Sequence, residues 1–245
     1  MSCSNFFKSM VAPIADQLTG LHKRWEIESR PWLGGFILWL GWTGCTWLAF
    51  LASLLVIEVG ERSDLSGLDG LLGGAIIGLG QWVVIRPYIH RAYRWIGVSA
   101  LTWGLLAGLH IGAIAWIVPG TTHLLMRGIF GLLYGSYVGL ILGIGQWWTM
   151  RRQISQAWRW IPLSTGVWAV AIALGWILGG LLRTTSNLFV SEVVGLMVAW
   201  GAIATLSGIA LVGLLYPKPP SSSHQAHPTR PARRSRSIPT ADTDC

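Results

Sequence analysis

The sequence predicts an all-α, polytopic membrane protein with six transmembrane helices built from about three helical-hairpin repeats. Three observations carry this. Of 245 residues, 52% are hydrophobic and 11% charged, against about 25% charged in an ordinary soluble domain. The charges cluster, leaving six apolar stretches between them. One segment then recurs along the chain with its polar residues preserved. Such a composition excludes a soluble enzyme, a disulfide scaffold and a disordered chain as readings of the whole.

Crossing about 30 Å of hydrocarbon at 1.5 Å per residue takes roughly 20 apolar residues. The spans are read as 32–57, 70–85, 96–118, 129–150, 161–182 and 193–216, with every Lys, Arg, Asp and Glu outside them. The second span is short, so its outer end extends through Leu68 and Asp69 or the bilayer thins around it. Residues 1–31 form a cytoplasmic segment without the core or cleavage site of a signal peptide. Within it Ile14, Leu18, Leu21 and Trp25 recur at helical spacing, which suits an interfacial helix, a mobile leader being the alternative. From Pro217 the chain turns to Ser, Pro, Thr and Arg with almost nothing to bury, and 217–245 is expected to be a disordered, basic cytoplasmic tail.

Basic residues in short loops stay in the cytoplasm. Of the 18 Lys and Arg, only Arg62, Arg127 and Arg183 fall on the far side, where the first loop carries Glu58, Glu61, Asp64 and Asp69. Both termini are therefore expected in the cytoplasm, of a bacterial plasma or thylakoid membrane. Cys3, Cys45 and Cys245 give no disulfide framework, and no zinc-ligand spacing occurs.

Residues 78–103 match 143–168 at a constant offset of 65, with twelve identities that include Gly78/Gly143, Gln81/Gln146, Arg86/Arg151, Arg94/Arg159, Trp95/Trp160, Ser99/Ser164 and Trp103/Trp168. The repeats are placed at 70–118 and 135–182, with a fainter copy in Arg30 and Trp39. An even number of spans per unit keeps successive copies in one orientation, which disfavours an inverted-repeat transporter. The unit GxGQWxxxxR followed by RW resembles one found in uncharacterised multi-spanning bacterial proteins, largely cyanobacterial. That resemblance implies no activity.

Gly70, Gly74 and Gly78, then Gly104, Gly108 and Gly112, then Gly131, Gly135, Gly139 and Gly143 each recur every four residues and form bare stripes. In lipid such stripes serve close helix packing, with a pore lining or a self-association face as the alternative. Gln81 and Gln146 lie about 7 Å inside the cytoplasmic ends. Their amides act as latches to a carbonyl or hydroxyl near Ser99 or Ser164, or else as a pore mouth. Arg86, Arg94, Trp95, Arg151, Arg159 and Trp160 suit the lipid headgroup layer.

His110 is the one ionisable side chain within a span besides the Cys45 thiol, and small neighbours leave room for a haem or chlorophyll, a neutral hydrogen-bonded histidine being the alternative. The sequence itself requires no cofactor, and no catalytic or metal site is expected. With no carboxylate in any span, an enzyme or an ion-coupled transporter lacks its chemistry. The expectation is an accessory or scaffold subunit of a larger membrane complex, with a pigment as an option. The alternative is a facilitator or channel for a small neutral solute. Expected partners are membrane lipids and either another membrane protein or a second copy, without specific nucleic-acid binding.

Overall fold

The computed structural model describes residues 31–60, 65–110 and 114–216, all in helices and their connections apart from one isolated bridge between Gly60 and Ile117. The expected interfacial helix, the basic tail, Arg62 and Gly112 lie outside the described residues. The helices are α1 (Pro31–Ser53), α2 (Gly67–Ile85), α3 (Arg94–Gly108), α4 (Leu124–Met150), α5 (Trp160–Ser186) and α6 (Val190–Leu215), with a short 3₁₀ turn, Ala157–Arg159, leading into α5. All but α3 are long and apolar enough to cross a membrane. Large apolar side chains such as Leu48, Leu101, Leu133, Leu174 and Ile209 point outward, an arrangement that water would not support over so much surface.

Each helix packs on the next in chain order, and α6 returns to α1, closing a ring of six. Glycine sets the closest approaches. A Cβ added to Gly74 would stand 2.6 Å from the Ser99 carbonyl oxygen across α2 and α3. Between α4 and α5 the corresponding distance is 2.6 Å from Gly135 to the Trp168 oxygen and 2.7 Å from Gly139 to the Ser164 oxygen. Only glycine allows the backbones to meet this way, and in lipid that contact is the main source of helix association. On α3, Gly104 and Gly108 face Gly67 more loosely, at 3.2 and 3.4 Å.

Four expected boundaries shift for identifiable reasons. α2 starts at Gly67 because Ser66 and Asp69 form a reciprocal capping box, which stops its first turn fraying. α4 and α6 begin earlier than hydropathy suggests and so take Arg127 and Glu192 inside helices, correcting the expectation that the spans exclude every charge. The third expected span, 96–118, is not one helix. α3 ends at Gly108, and His110 follows with φ 55°, in the left-handed region. From Ile114 to His123 the chain is without helix, and Ile114, Ala115, Trp116 and Val118 are buried. Its backbone is satisfied by protein: Gly60 N–H donates to the Trp116 oxygen and Val118 N–H to the Gly60 oxygen, while the Trp200 indole donates to the Ala115 oxygen. Apolar sequence signals burial, but not whether helix or neighbouring protein supplies the hydrogen bonds.

Candidate functional site

The ring's interior is filled by indole rings in two layers. Trp42 of α1, Trp95 of α3 and Trp160 of α5 meet edge to face in a triangle, with centroid separations of 5.9, 6.1 and 6.2 Å. Each indole N–H donates to a polar group on the adjoining helix. Trp95 bonds Gln81 Oε1 at 2.7 Å, Trp160 bonds Gln146 Oε1 at 2.8 Å, and Trp42 bonds Ser207 Oγ at 2.9 Å. Two of the three pairs share a spacing of 14 residues. The third comes from a tryptophan and a serine outside the GQW pattern, so α1 and α6 reach the same hydrogen-bonding solution with different residues.

Eight residues further along α3 and α5, about 12 Å at helical rise, Trp103 and Trp168 approach to 5.5 Å. They extend into a second layer through Trp116 at 5.2 Å from Trp103, Trp200 at 5.2 Å from Trp168, and Phe50 stacked on Trp200 at 4.8 Å. Between the layers lies a cavity of about 20 Å³, bordered by indole rings and by Gln81, Gln146, Ser99, Ser164 and Ser207.

This geometry corrects two expectations. Trp95 and Trp160 are 0% and 2% exposed and belong to the core, not the headgroup layer. Their indole N–H groups, rather than Ser99 or Ser164, bond the glutamine oxygens. The sequence carried a signal for this, since Gln81 with Trp95 and Gln146 with Trp160 keep one spacing in both copies. An aromatic residue beside a basic loop is nevertheless ambiguous until its direction around the ring is known.

At the opposite end of the helices Arg127 and Glu192 form a buried bidentate ion pair. Arg127 Nη1 donates to Glu192 Oε2 and Nη2 to Oε1, both at 2.7 Å, with each residue 1% exposed. The remaining guanidinium hydrogens reach the carbonyl oxygens of Thr121, Trp176 and Pro119, so all five donors are used. Gly179 and Gly180 make the room. A Cβ on Gly180 would lie 2.7 Å from Arg127 Cδ, and one on Gly179 would lie 2.8 Å from Glu192 Oε2. Sequence reasoning missed the pair, although Glu192 is the lone acidic residue between Asp69 and Asp242, and a solitary carboxylate near apolar sequence needs a cation.

The basic loops close the other end. Gln153 accepts from His90 N–H and returns its own amide proton to the His90 oxygen, tying the loop after α2 to that after α4. The arginines lie over aromatic rings, partly buried Trp82 and Trp147 and exposed Trp148 and Trp158: Arg86 over Trp82, Arg94 over Trp148, Arg151 over Trp147 and Trp148, and Arg159 over Trp158, at 5.5–6.0 Å. Such stacks hold a guanidinium at a surface with its N–H edge free for oxygen ligands. His110 is displaced from its expected position. The left-handed turn carries it off the buried face of Trp103 and Ala107 to an exposed site beyond the helix end. His110 therefore does not line the bundle interior, and positions 111–113 beside it lie outside the described residues.

Ring and site together define an α-helical protein of membrane type, with a tryptophan-filled axis, a small polar chamber and a buried ion pair. No protein-family model matches the chain, and neither a curated protein nor a solved structure matches it.

Proposed function

We propose that this protein is a non-catalytic integral membrane subunit, an accessory or scaffold component of a larger membrane complex, with both termini in the cytoplasm. The observation that supports this is the filled axis. Two layers of interlocked indoles occupy the space where a transporter or enzyme would keep a substrate path, and the buried charges Arg127 and Glu192 satisfy one another and the backbone. Groups so fully bonded fix shape, and a fixed shape with an apolar exterior serves as a packing partner for other membrane helices. The stacked arginines and tryptophans of the basic loops meet lipid phosphate at the cytoplasmic surface. Purification from the native membrane in mild detergent tests the reading: a second membrane protein at constant stoichiometry is expected. A partner-free preparation that speeds entry of a small neutral solute into liposomes would overturn it.

That outcome would favour the second reading, a facilitator for a small neutral solute, which the polar chamber between the indole layers supports. Under it, transport requires the Trp42, Trp95 and Trp160 triangle to part. Replacing Gln81 and Gln146 together by leucine would then abolish the flux.

A further inference from the structure

We propose that the chamber between the two indole layers is a binding site for one neutral, water-sized molecule that both donates and accepts hydrogen bonds, and that water is its resident occupant. The proposal stands on the side chains of the chamber and holds whether the protein is a scaffold or a facilitator.

Four observations converge. The cavity measures about 20 Å³, and a single water needs roughly 10–15 Å³ of such space, so one water fits and a molecule of several heavy atoms does not. Ser99 is 1% exposed and lines the cavity, and its hydroxyl has no hydrogen-bond partner among the described residues. A buried orphan of this kind is destabilising unless something bonds it. The oxygens of Gln81 and Gln146 are both taken by indole N–H groups. Each carboxamide therefore brings its NH₂ to the site as a donor, which defines an occupant able to accept. The lining carries no ionisable group, so the site offers an ion no counter-charge and a neutral molecule is the species it suits.

Water meets these terms: its lone pairs accept from the carboxamides while one hydrogen goes to Ser99 Oγ. A lone apolar cavity of this size would stay dry; the orphan hydroxyl and the two donors are what make this one wet. The site also gives the polar residues between the two aromatic layers a common partner. They need only one another, the indoles and a single trapped molecule.

The test is a structure of the full chain at a resolution that reveals ordered water. One peak is expected within about 3.2 Å of Ser99 Oγ and of at least one carboxamide nitrogen. An empty chamber with the Ser99 hydroxyl turned to a carbonyl of its own helix would overturn the proposal, as would density for a larger molecule. In solution, oxygen-17 relaxation dispersion of water counts long-lived waters without interference from exchanging protons. Val167→Ile, which adds a methylene at the chamber wall and leaves every polar group in place, should lose the contribution of about one water; an unchanged amplitude would contradict the site. Should that variant fail to fold, the structure of the unaltered protein still decides.

Discussion

Arg127 and Glu192, 65 residues apart, face each other through two parallel hydrogen bonds of 2.7 Å, and neither exposes more than 1% of its surface. The pair joins the first turn of α4 to the first turn of α6, and through the Trp176 carbonyl it also holds α5. A carboxylate in the first turn of α6 suits the positive end of that helix dipole, whereas an arginine in the first turn of α4 opposes it. The arginine is therefore tolerated by its partners rather than by its position.

Removing Glu192 leaves Arg127 buried and uncompensated, and removing Arg127 leaves Glu192 with only the longer contact to Arg183 Nη1 at 3.5 Å. Glu192→Gln should destabilise the protein by about 3–5 kcal/mol, and Arg127→Met by a similar amount. The double variant Arg127→Met with Glu192→Leu should lose much less than the sum, because no lone charge remains. Thermal unfolding in one detergent checks this, and strictly additive losses would show that the two residues do not act as a pair.

Gly139→Leu should lower thermal stability far more than Leu140→Ile on the same helix. Gly139 has the Ser164 oxygen 2.7 Å from where its Cβ would be, whereas Leu140 points outward. A leucine at Gly139 must push α4 and α5 apart along their closest contact. Equal melting temperatures for the two variants would remove the packing role assigned to this position.

The Gln146–Trp160 hydrogen bond should show a coupling on the order of 1 kcal/mol in a double-mutant cycle of Gln146→Leu and Trp160→Phe. The equivalent cycle of Gln81→Leu and Trp95→Phe should give a similar value, since the two bonds differ by only 0.1 Å, 2.8 against 2.7 Å. Zero coupling in both would mean that the indoles fill the axis by shape alone.

Tyr88, in the loop after α2, sits against Tyr216 at the end of α6 with ring centroids 6.5 Å apart. Burial, then the hydrogen bond to the Tyr216 hydroxyl and the repulsion between two phenolates, push its pKa from 10.0 up to about 12. The folded protein thus keeps a proton that the unfolded chain has lost. Its contribution to stability is complete below pH 10 and falls away as the pH rises from 10 to about 12. Tyrosinate absorbance should show one late-titrating tyrosine, and Tyr216→Phe should bring its midpoint down. A midpoint unmoved by that change would assign the shift to burial alone.

Sidedness can be read by labelling single cysteines in intact cells with an impermeant maleimide, after replacing Cys3, Cys45 and Cys245. Under the proposed orientation, with the basic loops in the cytoplasm, Ser66→Cys and Thr121→Cys should react from outside and Ser155→Cys should be protected. The reverse pattern would invert the orientation.

The sequence by itself determined that the chain is helical and that most of its helices are apolar enough to cross a membrane, because hydropathy and charge spacing are local properties that a window of about 20 residues contains. It also exposed the four-residue spacing of the glycines and the recurrence of Gln81 and Trp95 as Gln146 and Trp160. What those residues touch was decided by the tertiary structure. Trp95 and Trp160 read as headgroup anchors because they adjoin arginines, yet closure of the ring turns them toward the axis. The stretch Ile114 to Val118 read as helix because it is apolar, yet Gly60 and the Trp200 indole supply hydrogen bonds to Ala115, Trp116 and Val118 from distant parts of the chain. Arg127 and Glu192 read as loop charges at the membrane surface, and only the packing of α4 against α5 and α5 against α6 brings them together. An intramembrane charge is affordable when its partner is in place, and that partner lies 65 residues away, beyond what any local pattern can specify.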